Sequence, residues 1–358
     1  MQGQHDETHY YECSNPAIFL QIRNKDKCMA TIRDVSKESG LSIATVSRAI
    51  SNPELVSKES LKRVNQAIDK LQYRPNLTSQ KFRLQRTNTI VVLVPNIANL
   101  FFASLISGIE DTAAKYGYNV LLGDTRDITS REKEFINLVE TRQADGIIQL
   151  RPHHKESLLP NCNVKAVNAA GCANTPYLSV RIDNTEAAYK VVKYLLDQGH
   201  RKIGVISGLK DNPHTRDRML GYRQALQQAN IAFNDDYVIE GDFTLWSGLN
   251  AVQHFAQLKD KPTALFCMND EMAIGAIKGL KEKGLRVPQD ISVTGFDDLE
   301  VSNYSDPPLT TVRQPGVKIG EKAAELLFQM IEGTEPKLIE YILPFELIIR
   351  ESTRPYLL

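Results

Sequence analysis

The stretch "TIRDVSKESGLSIATVSRAIS", residues 31 to 51, holds two short helical patterns on either side of a glycine. Neither is long enough to persist alone, because isolated helices below about 12 to 15 residues are marginal in water. Thr31 stands where an N-cap is expected, with Asp34 three positions on and Ile32 and Val35 on one face. Gly40 suits the left-handed turn that ends a helix. Ser42 caps a second helix whose Val46, Ala49 and Ile50 face inward. Ser57 caps a third, with Leu61, Val64, Ile68 and Leu71 at helical spacing. Three short helices, the first two joined through glycine, form a helix-turn-helix unit in which each supports the others.

Charge sets this unit apart. Residues 30 to 86 carry eleven Lys and Arg against five Asp and Glu, although the 358-residue chain is formally neutral. A plain three-helix packing module would need the apolar pattern but not this local excess of cations. The second helix presents Ile43, Ala44, Thr45, Ser47 and Arg48 outward. A helix N-terminus favours phosphate, and its first residues can reach base edges in a major groove.

The longer stretch "TIRDVSKESGLSIATVSRAISNPELVSKES" resembles the N-terminal domain of the lactose/galactose repressor family, whose pattern runs T-I-x-D-V-A-x-x-A-G-V-S-x-x-T-V-S-R. Thr31, Ile32, Asp34, Val35, Gly40, Ser42, Thr45, Val46, Ser47 and Arg48 match it. Ser36 and Ser39 replace the usual alanines, and these two hydroxyls near a helix interface are expected to cost packing. The resemblance runs from Ala30 to the end of the chain. It implies a ligand-responsive, sequence-specific transcriptional repressor, a homodimer on a pseudo-palindromic operator, with DNA contacts from Ser42, Ile43, Ala44, Thr45, Ser47, Arg48 and Asn52. Ile43 and Ala44 suit a thymine methyl. Arg48 suits either a bidentate guanine contact or a phosphate. Residues 76 to 87 fall where the family carries a hinge helix, and Phe82 takes the place of its minor-groove leucine wedge. Ser79 and Gln80 replace the motif's Ala-Arg, so a flexible basic linker is the alternative.

Beyond Asn88 the pattern changes to short apolar runs such as "TIVVLV" (89–94), "DGIIQL" (145–150), "KIGVIS" (202–207) and "TALFCM" (263–268), most of them separated by amphipathic helical segments. This alternation predicts parallel sheets covered on both faces. The remaining length is too great for one doubly wound sheet. The resemblance implies a periplasmic-binding-protein-like core of two doubly wound parallel-sheet subdomains, residues 88–183 with 315–342 and residues 184–314 with 343–358, following a headpiece at 30–75 and a hinge at 76–87. Residues 1–29 are irregular and read as a disordered tail or an upstream extension. A ligand is expected in the cleft, at the C-terminal ends of the strands.

Enzyme chemistry finds little footing. No G-x-G-x-x-G follows the strand at Ile90 and no G-x-x-x-x-G-K-[ST] occurs, so no nucleotide cofactor is expected. Cys13, Cys28, Cys162, Cys172 and Cys267 show no metal spacing and read as thiols of a reducing compartment. His200 reads as a surface loop residue. No apolar run reaches the roughly 20 residues of a membrane span, and the polar start is not a secretory signal, so cytoplasm is the expectation.

Binding chemistry is easier to find. By the resemblance, Asn168, Arg218 in "NPHTRDRMLGY", Asn269 in "CMNDEMAIGA" and Asp297 in "VTGFDD" take effector-contacting positions. Such a set suits hydroxyl-rich ligands, since Asp accepts from two vicinal hydroxyls while Arg and Asn donate. Asp270 reads equally as a helix cap. Phe101 and Phe102 in "NLFFASLI" and Phe243 in "GDFTLWSG" take family pocket positions, whereas Trp246 is expected to be core. Flat faces around polar groups fit a heterocycle joined to a sugar. "PNIANLFFASLISGIEDTAAKYGYNVLLGD", "SDPPLTT" and "FELIIRESTR" are most similar to a nucleoside-responsive member of the family, which implies a nucleoside such as cytidine as effector. A second DNA-bound regulator is compatible as a further partner.

Overall fold

The computed structural model describes residues 30–73, 86–151, 164–172 and 178–356. Phe82 and most of the hinge lie outside them. The chain divides into two compact units between Leu84 and Gln85.

The first unit contains α1 (Ile32–Ser39), α2 (Ile43–Ser51), a 3-10 turn at Pro53–Leu55 and α3 (Lys58–Leu71). Thr31 and Asp34 form a reciprocal capping box, the Thr31 amide donating to Asp34 Oδ2 at 2.9 Å. Gly40 takes φ 65° and turns the chain without a Cβ penalty. Ser42 and Ser57 accept from the amides of Thr45 and Ser60, each at 3.2 Å. Val35, Val46, Ala49, Val64 and Ala67 are the buried centre. The Arg63 guanidinium fastens α3 to the end of α1 by donating to the Ser39 carbonyl at 2.6 Å. The hydroxyls of Ser36 and Ser39, where the family pattern has alanines, both have acceptors. Ser36 donates to the Leu41 carbonyl at 2.6 Å and Ser39 to the Ser36 carbonyl at 3.4 Å, so the Ser36 hydroxyl ties the turn.

The second unit holds two parallel sheets. The first contains β1 (Thr89–Val94), β2 (Asn119–Asp124), β3 (Ile147–Gln149), β4 (Ala166–Ala169), β5 (Ser179–Arg181) and β11 (Glu340–Ile342), in the order β11-β5-β4-β3-β1-β2. The second contains β6 (Ile203–Ser207), β7 (Val238–Glu240), β8 (Ala264–Cys267) and β9 (Ser292–Thr294), in the order β7-β6-β8-β9. An antiparallel pair, β10 (Thr311–Arg313) with β12 (Glu346–Ile348), is bridged from Thr310 to Thr294 at the end of β9 and from Arg313 to Asp297 beyond it. In both parallel sheets the order reverses beside the first strand, which opens a crevice at the strands' C-terminal ends.

Helices α4 (Leu100–Lys115), α5 (Thr129–Glu140) and α10 (Gly316–Ile331) pack with the first sheet. Helices α6 (Asn184–Asp197), α7 (Pro213–Gln228), α8 (Leu245–Gln257) and α9 (Asp270–Glu282) go with the second. Asp183 caps α6 where the chain first crosses between the sheets. Helices α4 and α10 meet backbone to backbone: a Cβ on Gly320 would lie 2.1 Å from the Leu105 carbonyl oxygen, and one on Gly108 2.1 Å from that of Val317.

Two expectations are overturned. His200 is buried at 2 % exposure, its Nδ1 2.9 Å from Thr263 Oγ1 and its Nε2 3.1 Å from the Arg354 carbonyl, so it ties the C-terminal segment to the core. Burial holds this imidazole below its ordinary pKa. Trp246 is the reverse case: it stands 72 % exposed in the first turn of α8. Cys172 and Cys267 are buried free thiols, and burial pushes both up in pKa. Among the described residues no helix is long and apolar enough to cross a membrane, and no His, Cys, Asp and Glu group could hold a metal ion.

Candidate DNA-reading surface and ligand cleft

In the first unit, Ile43, Ala44 and Arg48 are exposed on α2, with Ala44 and Arg48 one turn apart. Ile43 keeps 46 % of its surface in water. Ser42 is exposed and capping, and its hydroxyl lies 2.9 Å from that of Thr45. Thr45 and Ser47 are half-buried on the flank, and Asn52 is exposed at the C-terminal end of α2. The first turn of α2 contains no acidic residue, so nothing there opposes an approaching phosphate.

In the second unit the crevices of the two sheets face each other across a cavity of about 110 Å³. One wall comes from Pro95 and Asn96 after β1, Asn99, Phe101 and Phe102 at the start of α4, Asp127 after β2 and Arg151 after β3. The other wall comes from Leu209, Asn212, His214, Arg218, Asp242, Phe243, Asn269 and Asp297. The structure therefore brings six of the seven expected effector residues to one cavity. Asn168 is not among them. It is fully buried in β4, and neither of its amide atoms has a hydrogen-bond partner among the described residues.

Arg218 is held from several sides. Its Nε donates to Asn184 Oδ1 at 2.9 Å, another nitrogen donates to the Met268 carbonyl, and the guanidinium lies 3.6 Å from the centre of the Phe296 ring. Burial lowers its pKa to about 10, which still leaves it charged at neutral pH. Its Nη2 is 3.7 Å from Asp297 Oδ1, which also accepts from Gln314 Nε2 at 2.7 Å. Burial pushes the Asp297 carboxyl up to about 8 against the pull of Arg218. Such a group accepts as an anion and donates as an acid, so it can serve either end of a hydroxyl's hydrogen-bonding capacity.

Two cleft residues occupy backbone conformations that side chains rarely adopt, Asp297 at φ 121° and Phe243 at φ 68°. Their neighbours hold them there. Asn269 caps α9 by accepting from the Met272 amide and donates from Nδ2 to the Phe243 carbonyl, both at 2.9 Å. Asp270 is fully buried and collects the Leu299 amide at 2.8 Å, the Ser302 hydroxyl at 2.6 Å and the Thr311 hydroxyl at 2.5 Å. The cap of α9 is Asn269, and Asp270 staples the loop that presents Asp297.

Sequence reading missed Arg151, Asn212 and His214. Arg151 pairs with Asp127, and burial lowers its pKa to about 10. Asn212 caps α7 by accepting from the His214 amide at 2.9 Å. His214 Nδ1 is buried with no partner among the described residues, and its pKa falls well below the ordinary value through burial and then the nearby charges of Arg218 and Arg151. A neutral imidazole thus faces the cavity between two guanidiniums. One signal was available: in doubly wound sheets the first polar residue past a strand's C-terminal end meets the crevice, and Asn96 and Arg151 both satisfy it.

Comparison with known proteins matches both units. Residues 31–76 match the model of bacterial regulatory proteins of the lacI family, and residues 192–353 match a periplasmic binding protein-like domain. The HTH-type transcriptional repressor CytR of Escherichia coli K12 is 39% identical over 334 residues, covering 92% of this chain and 98% of that protein. The HTH-type transcriptional repressor PurR of Aliivibrio salmonicida is 35% identical over 329 residues, covering 90% and 99%. Among solved structures, the Lac repressor dimer bound to operator and the anti-inducer ONPF superposes with a TM-score of 0.83 at 27% identity, covering 91% of this chain and 99% of that one. A capped basic headpiece joined to a two-sheet cleft, together with these near full-length likenesses, places this chain in the lacI family of bacterial regulatory proteins, as a transcriptional repressor.

Proposed function

We propose that the effector is a nucleoside, cytidine first, and that the repressor acts as a homodimer on a pseudo-palindromic operator. The observation that carries the effector reading is the cleft's composition. Phe101, Phe102 and Phe243 supply flat apolar faces beside the buried Arg218 and Asp297. A base fits against rings of this kind, and a ribose diol fits a carboxyl that both accepts and donates. A hexose can pack only its C–H faces on such rings and has no flat heterocycle to stack on them, and a free purine base has no vicinal hydroxyls. The similarity to CytR supports the same reading.

The dimer reading rests on need and on surface. One headpiece makes too few contacts for specific affinity, whereas two match a two-fold site. Leu245, Trp246, Val301 and Tyr304 are large apolar side chains left in water on α8 and on the segment that follows Asp297. On DNA, Ile43, Ala44 and Arg48 meet base edges, while Ser42, Thr45, Ser47 and Asn52 hold the backbone.

Calorimetry with cytidine, uridine, adenosine, hexoses and free bases tests the effector. Nucleosides are expected to bind, and binding is expected to fall sharply in Asp297→Ala. Effector and operator affinities must then shift each other by the same factor. A hexose or a free purine base that binds tighter than every nucleoside would refute the assignment.

A further inference from the structure

The side-chain oxygens that line the cavity are largely engaged within the protein. Asn96 Oδ1 accepts from the Ala98 amide and Asn99 Oδ1 from the Phe101 amide, both at 3.0 Å. The side-chain oxygens of Asn212 and Asn269 serve the first turns of α7 and α9. Asp242 Oδ1 accepts from the Thr244 amide at 3.0 Å and from its hydroxyl at 2.6 Å. Asp127 is paired with Arg151, and Asp297 Oδ1 accepts from Gln314. What the lining offers a ligand is therefore rich in donors, namely two guanidiniums and the amide nitrogens of Asn99 and Asn212.

His214 is the exception. Among the described residues that line the cavity, its Nδ1 is the buried side-chain nitrogen or oxygen left without a hydrogen-bond partner. The Asn212 cap accepts from the His214 amide and so fixes the backbone from which the ring extends. Burial, and then the charges of Arg218 and Arg151, keep the ring neutral, so it carries a single proton. The Ala170 carbonyl, an acceptor, meets the ring and holds that proton on the nitrogen facing it. Nδ1 is left with its lone pair, a buried acceptor. His214 and Arg218 stand four residues apart on α7, on one face of the helix, so a ligand anchored at Arg218 and Asp297 passes His214. A ligand oxygen set against Nδ1 would be repelled, whereas an N–H or O–H would satisfy it. With the ribose hydroxyls at Asp297, the base is left to supply that donor.

On the nucleoside reading above, on which this rests, we infer that His214 Nδ1 accepts a hydrogen bond from an exocyclic amine of the effector's base. His214 then selects amine-bearing bases, of the cytosine or adenine kind, over keto bases. A keto oxygen in the amine's place loses the hydrogen bond and sets one lone pair against another.

Calorimetry on the full chain compares cytidine, uridine, cytidine with its amine dimethylated, and the pyrimidin-2-one riboside, which lacks the amine altogether. Wild type is expected to bind cytidine about 10- to 100-fold tighter than the other three, the range for leaving one buried hydrogen-bonding group unpaired. His214→Leu is expected to lose most of that preference, mainly through weaker binding of cytidine. His214→Asn keeps an acceptor on a shorter side chain and should restore part of the preference, which a purely structural role would not explain. The dimethylated and amine-free ligands test wild type directly, so the result stands even where His214→Leu does not fold. Equal binding of cytidine and the pyrimidin-2-one riboside by wild type, or an undiminished preference for cytidine in His214→Leu, would overturn the inference and leave the nucleoside effector standing. Binding of no nucleoside by wild type would refute the effector assignment and the inference with it.

Discussion

Replacing Asp270 separates a buried staple from a buried charge. Asp270→Ala strands the Leu299 amide and removes the acceptor of two hydroxyls. Each unsatisfied buried group costs about 1–3 kcal/mol, and since hydroxyls can rotate to other acceptors the total should be about 3–5 kcal/mol. Asp270→Asn behaves differently: its Oδ1 serves Leu299 and Ser302, and its Nδ2 donates to Thr311 Oγ1 once that hydroxyl turns. The pH dependence follows from burial, which raises the folded pKa from 3.8 to about 6. Between those values the fold keeps a proton that the unfolded chain has released, so this contribution to stability is complete below about pH 4 and declines as pH rises to about 6. A rise of about two units corresponds to about 3 kcal/mol. The Asn variant has no such decline. Its stability relative to wild type should climb between pH 4 and pH 6, level off, and leave it the more stable protein at pH 7. Asp297, raised to about 8 by burial and partly by the charge of Asp270, contributes a decline of the same sign, which should be shallower in the Asn variant and so adds to the difference. Urea denaturation followed by far-UV circular dichroism at pH 4, 5, 6 and 7 measures the difference directly. A constant difference across that range, or an Asn variant clearly weaker at pH 7, would refute the reasoning.

Arg48→Ala should relax sequence preference at one position of each half-site by about 1–3 kcal/mol, read by selection from a random DNA pool. A uniform loss across all sequences would assign Arg48 to phosphate instead. The fluorescence of Trp246, the chain's single tryptophan, should shift to the blue as protein concentration rises and the dimer forms. Trp246→Ala should weaken association in sedimentation equilibrium, and an unshifted spectrum over a range in which the mass doubles would place the interface elsewhere.

The headpiece was legible nearly residue by residue, because caps and glycine turns are local chemistry: Thr31, Gly40, Ser42 and Ser57 all act where the sequence puts them. The long strands were legible as apolar runs. Strands β5, β7, β10, β11 and β12 were not, since each is three residues long and all carry a charged residue. His200 and Trp246 failed for a common reason. Burial at the ends of elements depends on which distant segment covers them, and the C-terminal segment near Arg354 covers His200 while the described residues leave Trp246 bare. Asn168 lies in β4 outside the cavity lining, with Ala170 two residues on meeting His214 through its carbonyl.

Asn99 and Asn212 start the two helices that flank the cavity, each with its side-chain oxygen engaged by the helix and only its amide nitrogen left for the cavity. Asparagine, aspartate and serine cap helices about equally well. A single codon change at either position therefore keeps the helix start and exchanges an amide donor at the cavity wall for a carboxylate or a hydroxyl. Selectivity is adjustable at these two points with little consequence for folding. A lineage built on this scaffold can move between effectors through intermediates that all still fold, with the aromatic wall and the Arg218 anchor unchanged.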